Sequence, residues 1–215
     1  MARRSHPPSG WWEEEYHLTE SFYTSFIEAF VDELDLDDPV LLGTSMGGYV
    51  IFDLLPEYAD NFRGFVAVEP QAFETAWLGL TAWATHPEVN YERLIRPIIM
   101  TISSPHAPEE YRREVSWIYA QNTGEAVKGD LGYASTDHDA RDSLPEIDAK
   151  KWNLYVIAGE WDYSVKSEHT DYFKSEIENL TDDRVFRMKE ARHYPPTENP
   201  EVFKEIITSI LKDMR

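Results

Sequence analysis

The chain contains no cysteine. That excludes a disulfide framework, a thiolate metal site and a cysteine nucleophile. Basic residues are few, since twenty Lys and Arg stand against forty Asp and Glu, a formal charge of −20. So acidic a chain repels phosphate, and neither a nucleic acid nor an anionic membrane surface is an expected partner, because affinity for a phosphate backbone comes from cationic counterion release. Long apolar runs are missing too. The opening Met1-Ala2-Arg3-Arg4-Ser5-His6-Pro7-Pro8 has charge but no apolar stretch behind it, and no later run is long enough to span a bilayer. A soluble, cytoplasmic protein is the expectation. The histidines and carboxylates lack His-Glu-x-x-His or comparable spacing, so no metal is expected. No dinucleotide fingerprint is present, and no cofactor is expected.

What remains is a globular chain of 215 residues with 42% hydrophobic side chains, long enough to bury a core as one domain with an insertion. Residues 18–34 place Phe22, Phe26, Ile27, Phe30, Val31 and Leu34 at helical spacing behind Thr19 as N-cap. Short apolar runs at 40–43, 65–68, 154–158 and 185–188 read as strands of a sheet covered on both faces. Asn199 and Pro200 open a final helix that is expected to bury Val202, Phe203, Ile206, Ile207, Ile210 and Leu211. Strands separated by helices imply an α/β fold with a mostly parallel sheet. Residues 71–141 break the alternation, with Trp77, Trp83, Trp117, Tyr91, Tyr111, Tyr119 and Tyr133 among helix-like stretches such as 108–121. They read as a helical cap inserted between core parts 1–70 and 142–215, placed where the loops of such sheets form a ligand crevice. Most of its aromatics are assigned to the cap's own packing.

The segment from Pro39 to Val50 carries the chemistry. An apolar strand runs into Gly43-Thr44-Ser45-Met46-Gly47 and out into a helix, the sequence form of a nucleophile elbow. A serine at such a tip is held in a strained conformation, and side chains two residues before and after it would collide, which accounts for Gly43 and Gly47. Ser45 is the candidate nucleophile and the Met46 backbone N–H a candidate oxyanion donor, because the first N–H groups of the exit helix lack partners. Gly48 allows that helix to lie close to the sheet.

Two more loops follow strands. Asp162 lies in Gly159-Glu160-Trp161-Asp162-Tyr163-Ser164-Val165, and His193 in Ala191-Arg192-His193-Tyr194-Pro195-Pro196. An acid in a turn is commonly a cap, and this chain holds seven histidines, so neither residue alone carries weight. Their joint placement after predicted strands, in the order Ser45, Asp162, His193, is that of one of the convergent triads. Glu160 and Glu69 are rival acids, ranked below Asp162.

With these segments, 40–48, 144–165 and 193–203, the chain resembles the α/β-hydrolase superfamily in its branch with a helical cap. Gly129-Asp130-Leu131 and Ser135-Thr136-Asp137-His138-Asp139 are similar to a cap-to-core segment of some members. The likeness runs from about Trp11 onward. It implies Ser45 as nucleophile, His193 as base and Asp162 as acid, and a hydrolase acting on a small apolar or aromatic ester or lactone through an acyl-enzyme. Carbon–carbon bond hydrolysis is a neighbouring activity, whereas epoxide or haloalkane attack needs a carboxylate at position 45.

The resemblance also implies a departure. Members begin with several strands before the elbow strand, and a His-Gly type loop there supplies a second oxyanion N–H. Here about forty residues precede Ser45, with residues 5–9 and the Trp-Trp-Glu-Glu-Glu segment 11–15 at their start. The first four strands and that loop are therefore expected to be missing, in a fragment, a short form or a chain that pairs with another. The strand at 40–43 then has an open edge, and self-association or a homo-oligomer is expected. The same departure supports the alternative of a catalytically weak scaffold that binds a small ligand or a protein.

Overall fold

Among the described residues, four parallel strands joined by helices make the sheet. The structure, a computed structural model, describes residues 18–74, 83–86 and 88–214. Residues 1–17 and Trp77, on which some expectations fell, lie outside the described residues.

Helix α1 spans Glu20–Glu33, and Thr19 caps it by accepting the Phe22 N–H at 3.1 Å. Strand β1 (Val40–Thr44) turns at Ser45 into α2 (Met46–Tyr58), and β2 follows at Gly64–Val68. Beyond a long insertion come β3 (Leu154–Gly159) and β4 (Val185–Met188). The order in the sheet is β1-β2-β3-β4, all parallel, with Val40 opposite Gly64, Phe65 opposite Leu154 and Val156 opposite Val185. Every residue of β2 and β3 is buried, which is why those runs are apolar without alternation.

The two faces of the sheet make separate clusters. Phe65, Ala67, Leu154 and Val156 pack with Val50, Ile51, Leu54 and Leu55 of α2 on one face. Val66, Val68, Tyr155 and Ile157 meet the C-terminal helix on the other. A large apolar side chain contributes about 1.5–3 kcal/mol on full burial, so α2, with seven buried side chains from Met46 to Leu55, is the anchor of the fold.

Between β2 and β3 lie α3 (Tyr91–Ile102), α4 (Glu109–Ala120) and α5 (Gly124–Gly132). The ends of this insertion return to one place, where Phe73 pairs antiparallel with Asp139 and the Ala140 N–H donates to the Ala72 carbonyl at 2.9 Å. Helix α6 (Ser167–Glu176) precedes β4, and α7 (Pro195–Glu198) and α8 (Pro200–Asp213) follow it. Asn199 caps α8 as its sequence indicates, accepting the Val202 N–H at 3.3 Å.

Two helices differ from their periodicity. In α1, Tyr23 and Ile27 are buried while Phe26 and Phe30, and Leu34 at its C-terminal cap, are about half exposed. In α8 only Ile210 is fully buried; Phe203, Ile206 and Ile207 are partly covered, and Val202 and Leu211 are exposed. The spacing set the helices correctly, but α2 beside α1, and the sheet beside α8, cover only part of each apolar face. Among the described residues, no helix is long and apolar enough to cross a membrane, and no cluster of three or more His, Asp or Glu side chains is suited to a metal ion.

Candidate active site

Ser45 sits at the junction of β1 and α2 with φ 56° and ψ −120°, a conformation that non-glycine residues rarely adopt. Packing on both sides enforces it: the Ser45 N–H donates to the Val68 carbonyl at 2.7 Å, and the Ser45 carbonyl accepts from Gly48 and Tyr49. A Cβ at Gly43 would run into the Gly47 carbonyl, and one at Gly48 would press against Pro70. Gly43 thus answers to close backbone approach, and the Gly47 carbonyl is what approaches it. Met46 is the first residue of α2, and its N–H lies where no helical carbonyl stands one turn back.

His193 and Asp162 reach this point from the carboxyl ends of β4 and β3. His193 Nε2 lies 2.9 Å from Ser45 Oγ, and Nδ1 lies 2.7 Å from Asp162 Oδ2. Since Asp162 accepts, Nδ1 carries the proton and Nε2 is left to accept the Ser45 O–H. Both side chains are nearly sealed from solvent. Gly159 permits the approach of the two loops, because a Cβ there would strike the Ala191 and Arg192 carbonyls.

Burial alone would raise the Asp162 pKa, but the hydrogen bond and charge of His193 and two donors from Ser164 outweigh it and hold the carboxyl well below the usual carboxylate range. Ser164 donates both its N–H (2.8 Å) and its hydroxyl (2.7 Å) to Asp162 Oδ1, and its Oγ lies 3.2 Å from His193 Nδ1. Sequence reading missed Ser164, although an acid followed two residues later by serine is a recognisable turn signal. It also missed Glu198. This buried carboxylate accepts the backbone N–H groups of Ser104 (2.7 Å) and Arg192 (2.5 Å) and so ties the histidine loop to the end of α3.

The rival acids are placed elsewhere. Glu160 is exposed and accepts the Glu190 N–H at 3.1 Å. Glu69 is buried and accepts the Gly159 N–H, whereas the imidazole of His193 is hydrogen-bonded to Asp162.

Among the described residues, two cavities meet at Ser45. The larger, about 570 Å³, is walled by Phe22 and Phe26 of α1, by Val115, Ile118 and Tyr119 of α4 and by Tyr194. The smaller, about 40 Å³, lies between His193 and the α3 residues Ile95, Ile99 and Ile102. Of the aromatics in the insertion, Tyr119 lines both cavities, Tyr133 is buried in the core with its hydroxyl donated to Asp53, and Trp83 and Trp117 are exposed.

No curated protein matches the sequence significantly. Among solved structures, a thermophilic esterase from Thermogutta terrifontis superposes with a TM-score of 0.79 at 20% identity, over 92% of this chain and 74% of that one. The enol-lactonase from Burkholderia xenovorans LB400 gives 0.74 at 15% identity, over 91% and 74%. A bromoperoxidase from Bacillus anthracis gives 0.73 at 18%, over 93% and 75%. These likenesses are of fold. The sequence profile of the Alpha/beta hydrolase family matches residues 2–206. With a strained serine between β1 and α2, a parallel sheet and a match along nearly its whole length, the chain belongs to the Alpha/beta hydrolase family.

Proposed function

We propose that the protein is a serine hydrolase that cleaves a carboxylic ester or lactone through an acyl-enzyme. The observation that carries this reading is the continuous chain of hydrogen bonds from Ser45 Oγ through both nitrogens of His193 to Asp162. His193 Nε2 takes the hydroxyl proton as Ser45 Oγ bonds to the carbonyl carbon, and the carbonyl oxygen becomes an oxyanion beside the Met46 N–H. Collapse breaks the bond to the leaving alcohol, which receives the proton from His193. Water, deprotonated in turn by His193, releases the acid and restores Ser45. Asp162 holds the imidazole tautomer and stabilises its cation.

The cavity walls support an apolar or aromatic acyl or alcohol part, because Phe22, Phe26, Val115 and Ile118 offer apolar surface, while the Asp130 carboxyl in the lining accepts the Tyr23 hydroxyl. In this reading α3, α4 and α5 form the cap, and residues 71–141 are the unit inserted between the core parts 1–70 and 142–215. Esters and lactones share one acyl chemistry, and the similarly folded proteins include an esterase and an enol-lactonase.

The test is labelling of the folded protein with a serine-directed fluorophosphonate, followed by peptide mapping. An adduct on Ser45 that disappears in Ser45→Ala is the expected result. Absence of any adduct on Ser45 in folded wild-type protein would overturn the reading.

A further inference from the structure

Glu69 is the first residue beyond β2, fully buried, with φ 51°. A left-handed conformation suits glycine or asparagine, so a glutamate there is maintained against its backbone preference. Its own N–H continues the sheet by donating to the Ile157 carbonyl at 2.8 Å. One carboxyl oxygen, Oε1, accepts the Gly159 N–H. The other, Oε2, is buried and receives no donor, and the Glu69 side chain lies within hydrogen-bonding reach of the Asp162 carboxyl.

Two buried carboxyl groups side by side do not both ionise, and their surroundings decide which one does. Asp162 receives three donors, from Ser164 N–H, Ser164 Oγ and His193 Nδ1. Glu69 receives one. The negative charge therefore belongs to Asp162 and the proton to Glu69. Burial first, then the charges of Asp162 and Glu198, push the Glu69 carboxyl well above its ordinary range, against the opposing Gly159 hydrogen bond. Asp162 from the loop after β3 and Glu198 from α7 are the titratable groups that face it, with His193 beyond Asp162.

We propose that Glu69 is a neutral carboxylic acid whose Oε2–H donates to the Asp162 carboxylate, making it a positioning residue for the acid that orients His193. The proton satisfies the one orphaned oxygen of the pair and anchors Asp162 to the end of β2. It also draws charge from Asp162 and so moderates the stabilisation of the His193 cation, on the reading of Ser45, His193 and Asp162 given above.

Two variants and one spectroscopic measurement test this. Glu69→Gln keeps an acceptor for Gly159 and an N–H donor for Asp162, whereas Glu69→Leu keeps neither. In ester hydrolysis, Glu69→Gln is expected to leave the acid limb of the pH–rate profile in place. Glu69→Leu is expected to lower kcat by about tenfold or more with little change in KM, the effect of losing a hydrogen bond to a charged group, and to move that limb to higher pH. If Glu69 were ionised, Glu69→Gln would remove a negative charge and move the limb to lower pH, which would overturn the proposal. Infrared difference spectroscopy of wild type against Glu69→Gln at neutral pH reads the proton without any turnover. The C=O stretch of a buried carboxylic acid is expected in wild type and absent from the variant, and its absence from wild type would equally overturn the proposal. If Ser45 resists the fluorophosphonate while the stretch is present, the hydrolase reading fails and the protonation of Glu69 stands.

Discussion

Replacing Ser45 by glycine is expected to make the protein more stable than replacing it by alanine, the reverse of what the two residues do elsewhere. Both variants lose the Ser45–His193 hydrogen bond of 2.9 Å, so that loss cancels in the comparison. What differs is the Cβ. At φ 56°, ψ −120° a residue with a Cβ stores about 1–3 kcal/mol of backbone strain, which glycine relieves. Against this stands about 0.5–1 kcal/mol for the greater entropy that glycine loses on folding. The difference is about 1 kcal/mol in favour of glycine, which in a chain of this size raises Tm by about 2–4 °C. Urea unfolding and calorimetry of the two variants, at one pH and one protein concentration, measure it. Glu205, exposed within α8, supplies the control, since there alanine is expected to exceed glycine by about 1 kcal/mol. Equal stability at position 45, or an advantage for alanine, would refute the claim that the elbow is strained.

Asp162→Asn leaves the shape of the site but removes the charge that fixes the His193 tautomer, and a loss of about four orders of magnitude in kcat is expected. A loss below about tenfold would place the working acid elsewhere. Gly43→Ala forces a Cβ into the Gly47 carbonyl, and a drop of about 1–3 kcal/mol in urea stability is expected together with loss of fluorophosphonate labelling. An alanine variant with wild-type stability and labelling would disprove the close approach. The two buried acids are expected to respond to pH with opposite signs. Asp162 is depressed in the folded state, so its stabilisation is present above the unfolded value of about 3.9 and lost as pH falls. Glu69 is raised, so its contribution is complete below its unfolded value of about 4.3 and lost as pH rises towards the folded one. Glu69→Gln should therefore gain stability relative to wild type at neutral pH and not at pH about 4, and urea midpoints at the two pH values that move together would count against it. Finally, β1 is an edge strand among the described residues and exposes Leu42, so self-association through that edge is expected, reduced by Leu42→Lys; a monodisperse monomer by light scattering would argue otherwise.

The parts legible in the sequence were those set by local chemistry. Thr19 and Asn199 mark helix starts because a side-chain oxygen reaches N–H groups two or three residues on. The four strands stand out because burial on both faces demands continuous apolar runs. Ser45, Asp162 and His193 could be nominated because each follows a strand, and parallel strands deliver their carboxyl ends to one edge of the sheet. Amphipathic spacing was a poorer guide to burial, for it marks a face without saying what covers it: Phe26 and Phe30 in α1 and Leu211 in α8 are exposed.

The sequence alone therefore determined the fold class, the order of elements and the residue types able to do chemistry, because these depend on periodicity, caps and steric demands within a few residues. Only the tertiary structure decided which acid meets the histidine and which is left with the proton. Glu69 and Asp162 both follow strands and both reach the same buried space, but Ser164 and His193 supply donors to one of them and a single Gly159 N–H to the other comes from a strand ninety residues away. Charge in a buried pair follows the count and direction of such donors, and these exist only once the chain has folded.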